Sequence, residues 1–596
     1  MSRSYLKTAG VAAAVLAMGA TAACSSGSGS TKPTNKGVSA SYNAAIGGVV
    51  NKSDKTGGTI HYVASGDFDS LDPARTYYAY SWNFQRIYQR TLLMFKPEPG
   101  KGGSEVTGDL AKGPGTYTDG GKTVTYELRD GITFQDGSTI KSADIKYALE
   151  RSFAEDVING GPGSTYLKPV IVGGADYKGP YKGGDLPNTS IDASDPKKLV
   201  IHLTKPFSDF DYLMALPLST PVPEAVDKGK NGGANYQFHV VSSGPYMIKE
   251  GDYKPGKSLL LTRNPKWNKA SDPNRKALPD KIELLEGLDP DDMDAKLLAG
   301  QADMEIEGTG VQPTAVSKIL QDATQKVNAD NPSTGFTRYI SIQEKVAPFD
   351  NIECRKAVQY AADKVALQFA RGGPVAGGDI AGQMLPPTLP AYKQFTQYDS
   401  GTDNKGDIEK AKAALKACGK PDGFKTKIAT TNKGKGPKVA IALQQALKKV
   451  GIDASVEQFD ASTYYSGVIG VPSNVHKQGL GLAVAGWGPD FPTEYGFFES
   501  IVDGRAIKTA GGNSNYAELN NPEINNLIDE AQGTTDLAKR SEAWAKVDHL
   551  VMESADYLPF VADKALDYRG PKLTNVYINT AFGQYDLVNV GTTATS

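Results

Sequence analysis

"LGLAVAGWGPDFPTEYGFF", residues 480–498, begins as a run of small and aliphatic residues that reads as a buried strand and stops at Gly486. Trp487, Gly488, Pro489, Asp490, Phe491 and Pro492 follow, then Tyr495, Phe497 and Phe498, with Glu494 as the second acid nearby. A carboxylate at the mouth of a strand, walled by rings and held on a loop stiffened by prolines, is poorly hydrated and calls for a cation. A ligand ammonium would supply one. On the residues alone two other readings stay open: Asp490 pairs with a Lys or Arg of the protein, or it faces water in an ordinary loop.

Before this stretch lie two amphipathic helices. Cys354, Val358, Ala361 and Val365 share one face of "ECRKAVQYAADKVAL", and Ile408, Ala411, Leu415 and Cys418 share one face of "DIEKAKAALKACGK". Their placement on apolar faces favours two buried thiols over a disulfide, although an exported protein would permit the bond.

The folded part is expected to begin near Gly57, where "GGTIHYVAS" reads as a strand and "DFDSLDPA" as a turn. "SWNFQRIYQRTLLMF" keeps Phe84, Ile87, Tyr88, Thr91, Leu92 and Phe95 at helical spacing, so most of these rings are core. Tyr77, Tyr78 and Tyr80 stand just ahead of that helix and are candidates to face a cleft. In "GTYTDGGKTVTYELRDGITFQDGSTIKSADIKYALERSF", 115–153, Val124, Tyr126 and Leu128 alternate and Asp-Gly recurs at 119, 130 and 136, which are hairpin signals. Ser142 then caps a helix that carries Ile145, Ala148 and Leu149 inward. "KLVIHLTKPF", 198–207, is a second alternating strand.

Residues 251–258, "GDYKPGKS", match the phosphate-loop pattern letter for letter. That mechanism needs a helix after the loop, to bring its N-terminus to the phosphate. Here "SLLLTRNP" follows, a β-type run closed by Pro265, so a hairpin is expected. The acid cluster "DPDDMD", 289–294, departs from the calcium-loop spacing, with Met293 at a ligand position and Asp294 in place of the turn glycine. Acids in the first turn of a helix explain it. The five His are isolated, and neither a zinc motif nor a G-x-S-x-G nucleophile elbow is present. No metal and no cofactor are expected.

At the other end, Arg3 and Lys7 precede "AGVAAAVLAMGATAA", fifteen residues that are too short to span a bilayer but suit a signal peptide, 1–23. Cys24 follows small residues and opens the polar tether "SSGSGSTKPTNKG". This looks like a lipobox, with Thr21 where Leu is usual; the alternative is plain secretion with Cys24 incidental. The 65 Lys and Arg against 67 acids give a net charge of −2, which offers no electrostatic case for nucleic acid or an anionic membrane surface. With 39% hydrophobic residues there is ample core, and the length suits several domains.

Several of these segments, in order, resemble the extracellular solute-binding proteins of ABC importers, specifically the large peptide-binding family 5. They are "FDSLDPA", "KTVTYELRDGITFQDGSTIKSADIKYALERS", "SSGPYMIKEGDYKPGKSLLLTRNPKWN", "LLAGQADM", "APFDNIECRKAVQYAADK", "DIEKAKAALKACG" and "AGWGPDFPTEYGFF", then "NSNYAELNNPEINNLIDEA" and "KRSEAWAKVDHLVMESADYLPFV". The likeness runs from about Gly57 to Val561. It implies an α/β, two-lobed periplasmic-binding-protein-like fold. Lobe I is 57–335 with an inserted subdomain near 93–215, lobe II is 336–561, and 562–596 returns to lobe I. Residues 24–56 are then a lipidated Cys and flexible tether. Two crossovers near 335 and 562 form a hinge, and ligand is enclosed between the lobes.

Carried over residue by residue, the resemblance implies that Asp490 meets a peptide's α-ammonium and that Trp487 walls a side-chain pocket. It also puts Gly244 and Tyr246 of "SSGPY" close to the interlobe surface. Gln343 stands where the family usually has Asn, which puts the local backbone contacts in question. The implied function is that of a lipid-anchored, monomeric receptor on the outer face of the cell membrane, passing peptides to a permease driven by separate ATPase subunits and performing no chemistry. The same scaffold binding an oligosaccharide is the alternative, which indifference to Asp490 would favour. A secreted hydrolase is a third reading, which degradation of the peptide would reveal.

Overall fold

The computed structural model describes residues 37–594 apart from Asn231, Ser462, Ala510 and Thr535. The signal segment and Cys24 therefore lie outside the described residues. Two six-stranded sheets organise the α/β, two-lobed chain. In the first, Thr59–Val63 lies between Lys281–Leu285 and Met304–Glu305, parallel to both. Ser258–Arg263 pairs antiparallel to Lys281–Leu285 on one side and to Tyr246–Met247 on the other. Period-two patterning makes this sheet: Ile282 and Leu284 are buried while Lys281, Glu283 and Leu285 are exposed. Tyr253–Lys254 pairs antiparallel with Ser258–Arg263, so the phosphate-loop look-alike is a hairpin, as its β-type continuation requires. The acids at 289–294 start the helix Pro290–Leu298, where the Asp289 carboxylate accepts from the N–H of Asp291.

The second sheet runs Asp379–Ile380, Tyr557–Lys564, Ser333–Ile342, Leu482–Trp487, Lys425–Thr431, Asp453–Phe459. Leu482–Trp487 is central, antiparallel to Ser333–Ile342 and parallel to Lys425–Thr431, which explains why its sequence is apolar without alternation. After Trp487 the chain leaves the sheet and enters the helix Glu494–Val502, capped by the Thr493 hydroxyl, which accepts from the N–H of Gly496. A smaller sheet joins Thr116–Thr118, Thr123–Glu127, Lys198–His202 and Ile191–Asp192, with Val124 facing Ile201 in its core. Where the chain crosses between the two large sheets, Ala329–Asp330 and Asp567–Tyr568 pair antiparallel. Among the described residues no helix is long and apolar enough to cross a membrane.

Three expectations are corrected. Cys354 and Cys418 are joined by a disulfide, with Cα atoms 5.3 Å apart. Cys354, Val358 and Ala361 do share a buried face, but the helix ends at Ala361 and Val365 belongs to the next one, Lys364–Arg371, where it is only half-buried. The two cysteine-bearing helices pack on each other, and helical periodicity shows only that a face points inward, not what it meets. Ser142 is the first residue of its helix rather than the cap. Its hydroxyl donates to the Asp195 carbonyl, and Asp144 accepts from the N–H of the cap residue Lys141. Finally, the fold begins before Gly57. Gly37–Val38 pairs with Val49–Val50, the N–H of Ala45 donates to Asp330, and Val50 bridges to Val576, so residues from 37 on are built into the protein rather than forming tether.

Candidate functional site

Asp490 ends a short loop that leaves the centre of the second sheet. Its N–H donates to the Gly496 carbonyl, which aims the side chain away from the sheet. Two phenols from the opposite side of the molecule reach it: Tyr77 Oη donates to Oδ2 at 2.8 Å and Tyr166 Oη donates to the same oxygen at 2.5 Å. Tyr77 precedes the helix Ala79–Gln85, and Tyr166 lies in the helix Gly163–Leu167. Tyr77 stacks on Trp82, and Tyr166 packs edge-on against Phe491. The residue as a whole is half-buried, but protein atoms crowd its carboxylate, and this desolvation lifts its pKa to about 6 despite the two phenols and the Lys508 ammonium. Among the described residues Asp490 forms no ion pair with Arg or Lys. The carboxylate is thus gathered among rings from both sides, with hydroxyls in place of a cation.

Two further groups, invisible as a pattern in the sequence, share this environment. Glu499, one turn on in the helix after Asp490, is pushed up to about 7 by burial, with Asp503 and Asp490 adding to the shift. Lys508 Nζ lies 3.3 Å from the Thr165 hydroxyl. A little further along, Asp209 locks the two sides together. It is fully buried, accepts from Thr493 Oγ1 at 2.8 Å and Gln532 Nε2 at 3.2 Å, and pairs with Arg540. Phe491 joins the apolar cluster built mostly from residues 82–218 and stacks on Tyr212.

Of the other residues singled out, Trp487 lies opposite Thr337 at the strand end, and its indole N–H is buried without a hydrogen-bond partner among the described residues. Tyr246 is corrected. It is 1% exposed in the core of the first sheet, and its hydroxyl donates to the Pro279 carbonyl at 2.6 Å, so it has no free group for ligand. Gly244 shapes the turn before it: its N–H donates to the Tyr88 carbonyl and its carbonyl accepts from Asn264. A Cβ there would stand 2.9 Å from the Tyr88 backbone. Gln343 keeps its backbone N–H on the Gly481 carbonyl while its side chain donates to Ser341. Tyr80 donates to the Asp67 carbonyl and Tyr78 is exposed, so of the three tyrosines it is Tyr77 that reaches the acid.

The bacterial extracellular solute-binding protein profile, family 5 Middle, matches residues 105–509, more than half of the chain. The protein belongs to this family. Among solved structures, the family-5 chain is similar to clavulanic acid biosynthesis oligopeptide binding protein 2, with 47% identity, a TM-score of 0.88, and coverage of 93% of this chain and 99% of that one. Its fold is also that of a DppA periplasmic binding protein from Helicobacter pylori solved with the peptide STSA, at 19% identity and a TM-score of 0.73 over 91% and 99% of the two chains. The probable D,D-dipeptide-binding periplasmic protein DdpA of Escherichia coli is 26% identical over 502 residues, 83% of this chain and 86% of its own.

If Asp490 meets a ligand ammonium, its raised pKa predicts pH-dependent binding. Desolvation lifts the carboxyl's pKa to about 6, well above its ordinary value of 3.8. A ligand ammonium favours the ionised form, so binding it requires that proton to leave. Affinity for an ammonium ligand should therefore rise as pH increases from 5 to 7.5, with Glu499, at about 7, contributing in the same direction. Calorimetry at the two pH values checks this. In Asp490→Asn the slope should shrink to the Glu499 contribution, and an unchanged slope would remove Asp490 as its source.

Proposed function

We propose that this family-5 protein captures peptides between its lobes, holds their free α-ammonium at Asp490, and delivers them to an ABC permease without performing chemistry on them. The observation that carries the reading is a crowded carboxylate, reached by hydroxyls from both sides of the molecule and left without a protein cation. The unpartnered Trp487 indole N–H supports it as a second ligand contact. Relatives named for D,D-dipeptide and glutathione binding, and a Haemophilus influenzae OppA solved with the peptide RPPGFSPFR, support the ligand class. Lobe I is then 37–335 plus the return from 562, lobe II is 336–561, and the paired crossover strands are the hinge about which a shared ligand shifts the population to the closed form. Native mass spectrometry of the purified protein tests the reading directly. A retained ligand whose mass and fragmentation are those of a peptide supports it, and a sugar or hydrolysed peptide refutes it.

Anchoring is part of the same proposal. A diacylglyceryl thioether on Cys24 supplies two chains, enough for stable attachment where one would be marginal. Cys24→Ala is expected to release the protein from the cell surface and move it from the detergent phase to the aqueous phase. Full retention with unchanged partition would exclude the anchor.

A further inference from the structure

A second charged site lies on the same pair of strands that deliver Trp487 and Asp490. Arg338 stands opposite Gly486 in the sheet register. Near it, by the carboxyl end of Lys425–Thr431, a cavity of about 150 Å³ is lined by Arg338, Arg371, Lys433, Lys435, Thr430 and Thr431. A cavity of that volume holds a molecule the size of benzene. The helix Gly436–Lys448 starts against it, with no acid in its first turn to complement its dipole. A Cβ on Gly436 would stand 2.6 Å from Thr431 Oγ1 and 2.7 Å from Thr430 Oγ1, so both hydroxyls lie against the helix start. Thr431 donates to the Lys433 carbonyl. Thr430 is fully buried, and its hydroxyl has no hydrogen-bond partner among the described residues.

The charges do not balance. One carboxylate, Asp563, serves Arg371 and Arg338, accepting from Arg371 Nε at 2.8 Å and Nη2 at 2.7 Å and from Arg338 Nε at 2.9 Å. Among the described residues Lys435 Nζ donates to the Ala376 carbonyl, at 2.6 Å, and forms no ion pair, and burial together with Arg371 pulls its pKa down to about 8. Lys433 forms no ion pair among the described residues. Four cations against one carboxylate leave three positive charges facing a small cavity that also holds a free hydroxyl and a helix N-terminus, the donor set of an anion site. A single α-carboxylate would offset one of the three.

We propose that this cavity takes the end of the ligand opposite its ammonium, and that this end carries two carboxylates, as in a peptide ending in Glu or Asp. The proposal rests on the peptide reading above and narrows it to acidic peptides. Charge-assisted hydrogen bonds from Lys435, Lys433 and the Thr430 hydroxyl would receive the second carboxylate.

Calorimetry with tri- to pentapeptides of alanine ending in Glu or in Gln, each with a free amine, tests it. The Glu series should bind roughly 10- to 100-fold tighter than the Gln series. Lys435→Met and Thr430→Val should erase that preference while leaving the requirement for a free amine intact, and Lys435→Arg should restore much of it, which separates charge from packing. Thermal melts confirm that each variant is folded. Equal affinity for the Glu and Gln series overturns the diacid site and leaves the peptide reading standing. Glutarate alone, binding in a Lys435-dependent way when no peptide binds, keeps the anion site and sinks the peptide reading. Failure of both the peptides and glutarate to bind overturns the proposal.

Discussion

Asp490→Asn is expected to weaken binding of a peptide with a free α-ammonium by about 30-fold to several-thousand-fold, the roughly 2 to 5 kcal/mol cost of leaving one member of an enclosed charge pair without its partner. N-acetylation of the peptide should cost a similar amount against the unchanged protein, because the crowded carboxylate then faces an amide. Combining the two changes should lose much less than the sum, since neither side carries an unpaired charge. The fluorescence of Trp487, three residues before Asp490, should report occupancy in all four titrations if the proposed pocket includes it. Additive losses, or an acetylated peptide that binds as tightly as the free one, would take Asp490 out of the mechanism. Tyr77 and Tyr166 sharpen the expectation. They occupy Oδ2, so a ligand ammonium would have to meet the remaining lone pairs or displace a phenol. Tyr166→Phe should change affinity far less than Asp490→Asn, because it removes a neutral donor and leaves the charge in place.

Replacing both Cys354 and Cys418 by Ala should destabilise the second sheet's half of the molecule by about 4 kcal/mol, from the loop-closure entropy of a bond that spans 64 residues. The enclosed segment holds the helices Ile352–Ala361, Lys364–Arg371 and Ile408–Ala417, together with the short strand Asp379–Ile380. Freeing it lets all of them gain entropy together on unfolding. Calorimetric melting of the oxidised protein, the reduced protein and the double variant checks this. The last two should melt several degrees lower and close to one another. Coincidence of all three would show that the bond contributes nothing. Because Cys354 is fully buried and Cys418 nearly so, the alanine pair also tests packing, and reduction alone separates the two effects.

The buried strand, the acid released among rings, the hairpin behind the phosphate-loop look-alike and the helix start at 289–294 were all legible in the chain, because each is written in local periodicity or turn chemistry. The resemblance carried by ordered blocks extended that reading to the family and its two-lobed fold, since many separated motifs in one order specify a topology where one motif does not. What stayed hidden was every fact that depends on two distant segments meeting. Tyr166 is 324 residues from the carboxylate it touches. Arg540 reaches Asp209 across 331, and Cys354 meets Cys418 only because two inward faces turn out to be inward toward each other. Tyr246, placed near the cleft by its motif, is consumed by the core for the same reason: a motif fixes a residue's neighbours in sequence, whereas the packing of whole sheets decides which of its sides meets solvent. The chain alone thus determined which residue carries the charge. Only the tertiary structure decided what surrounds that charge: two phenols from distant segments and enough crowding to lift its pKa to about 6.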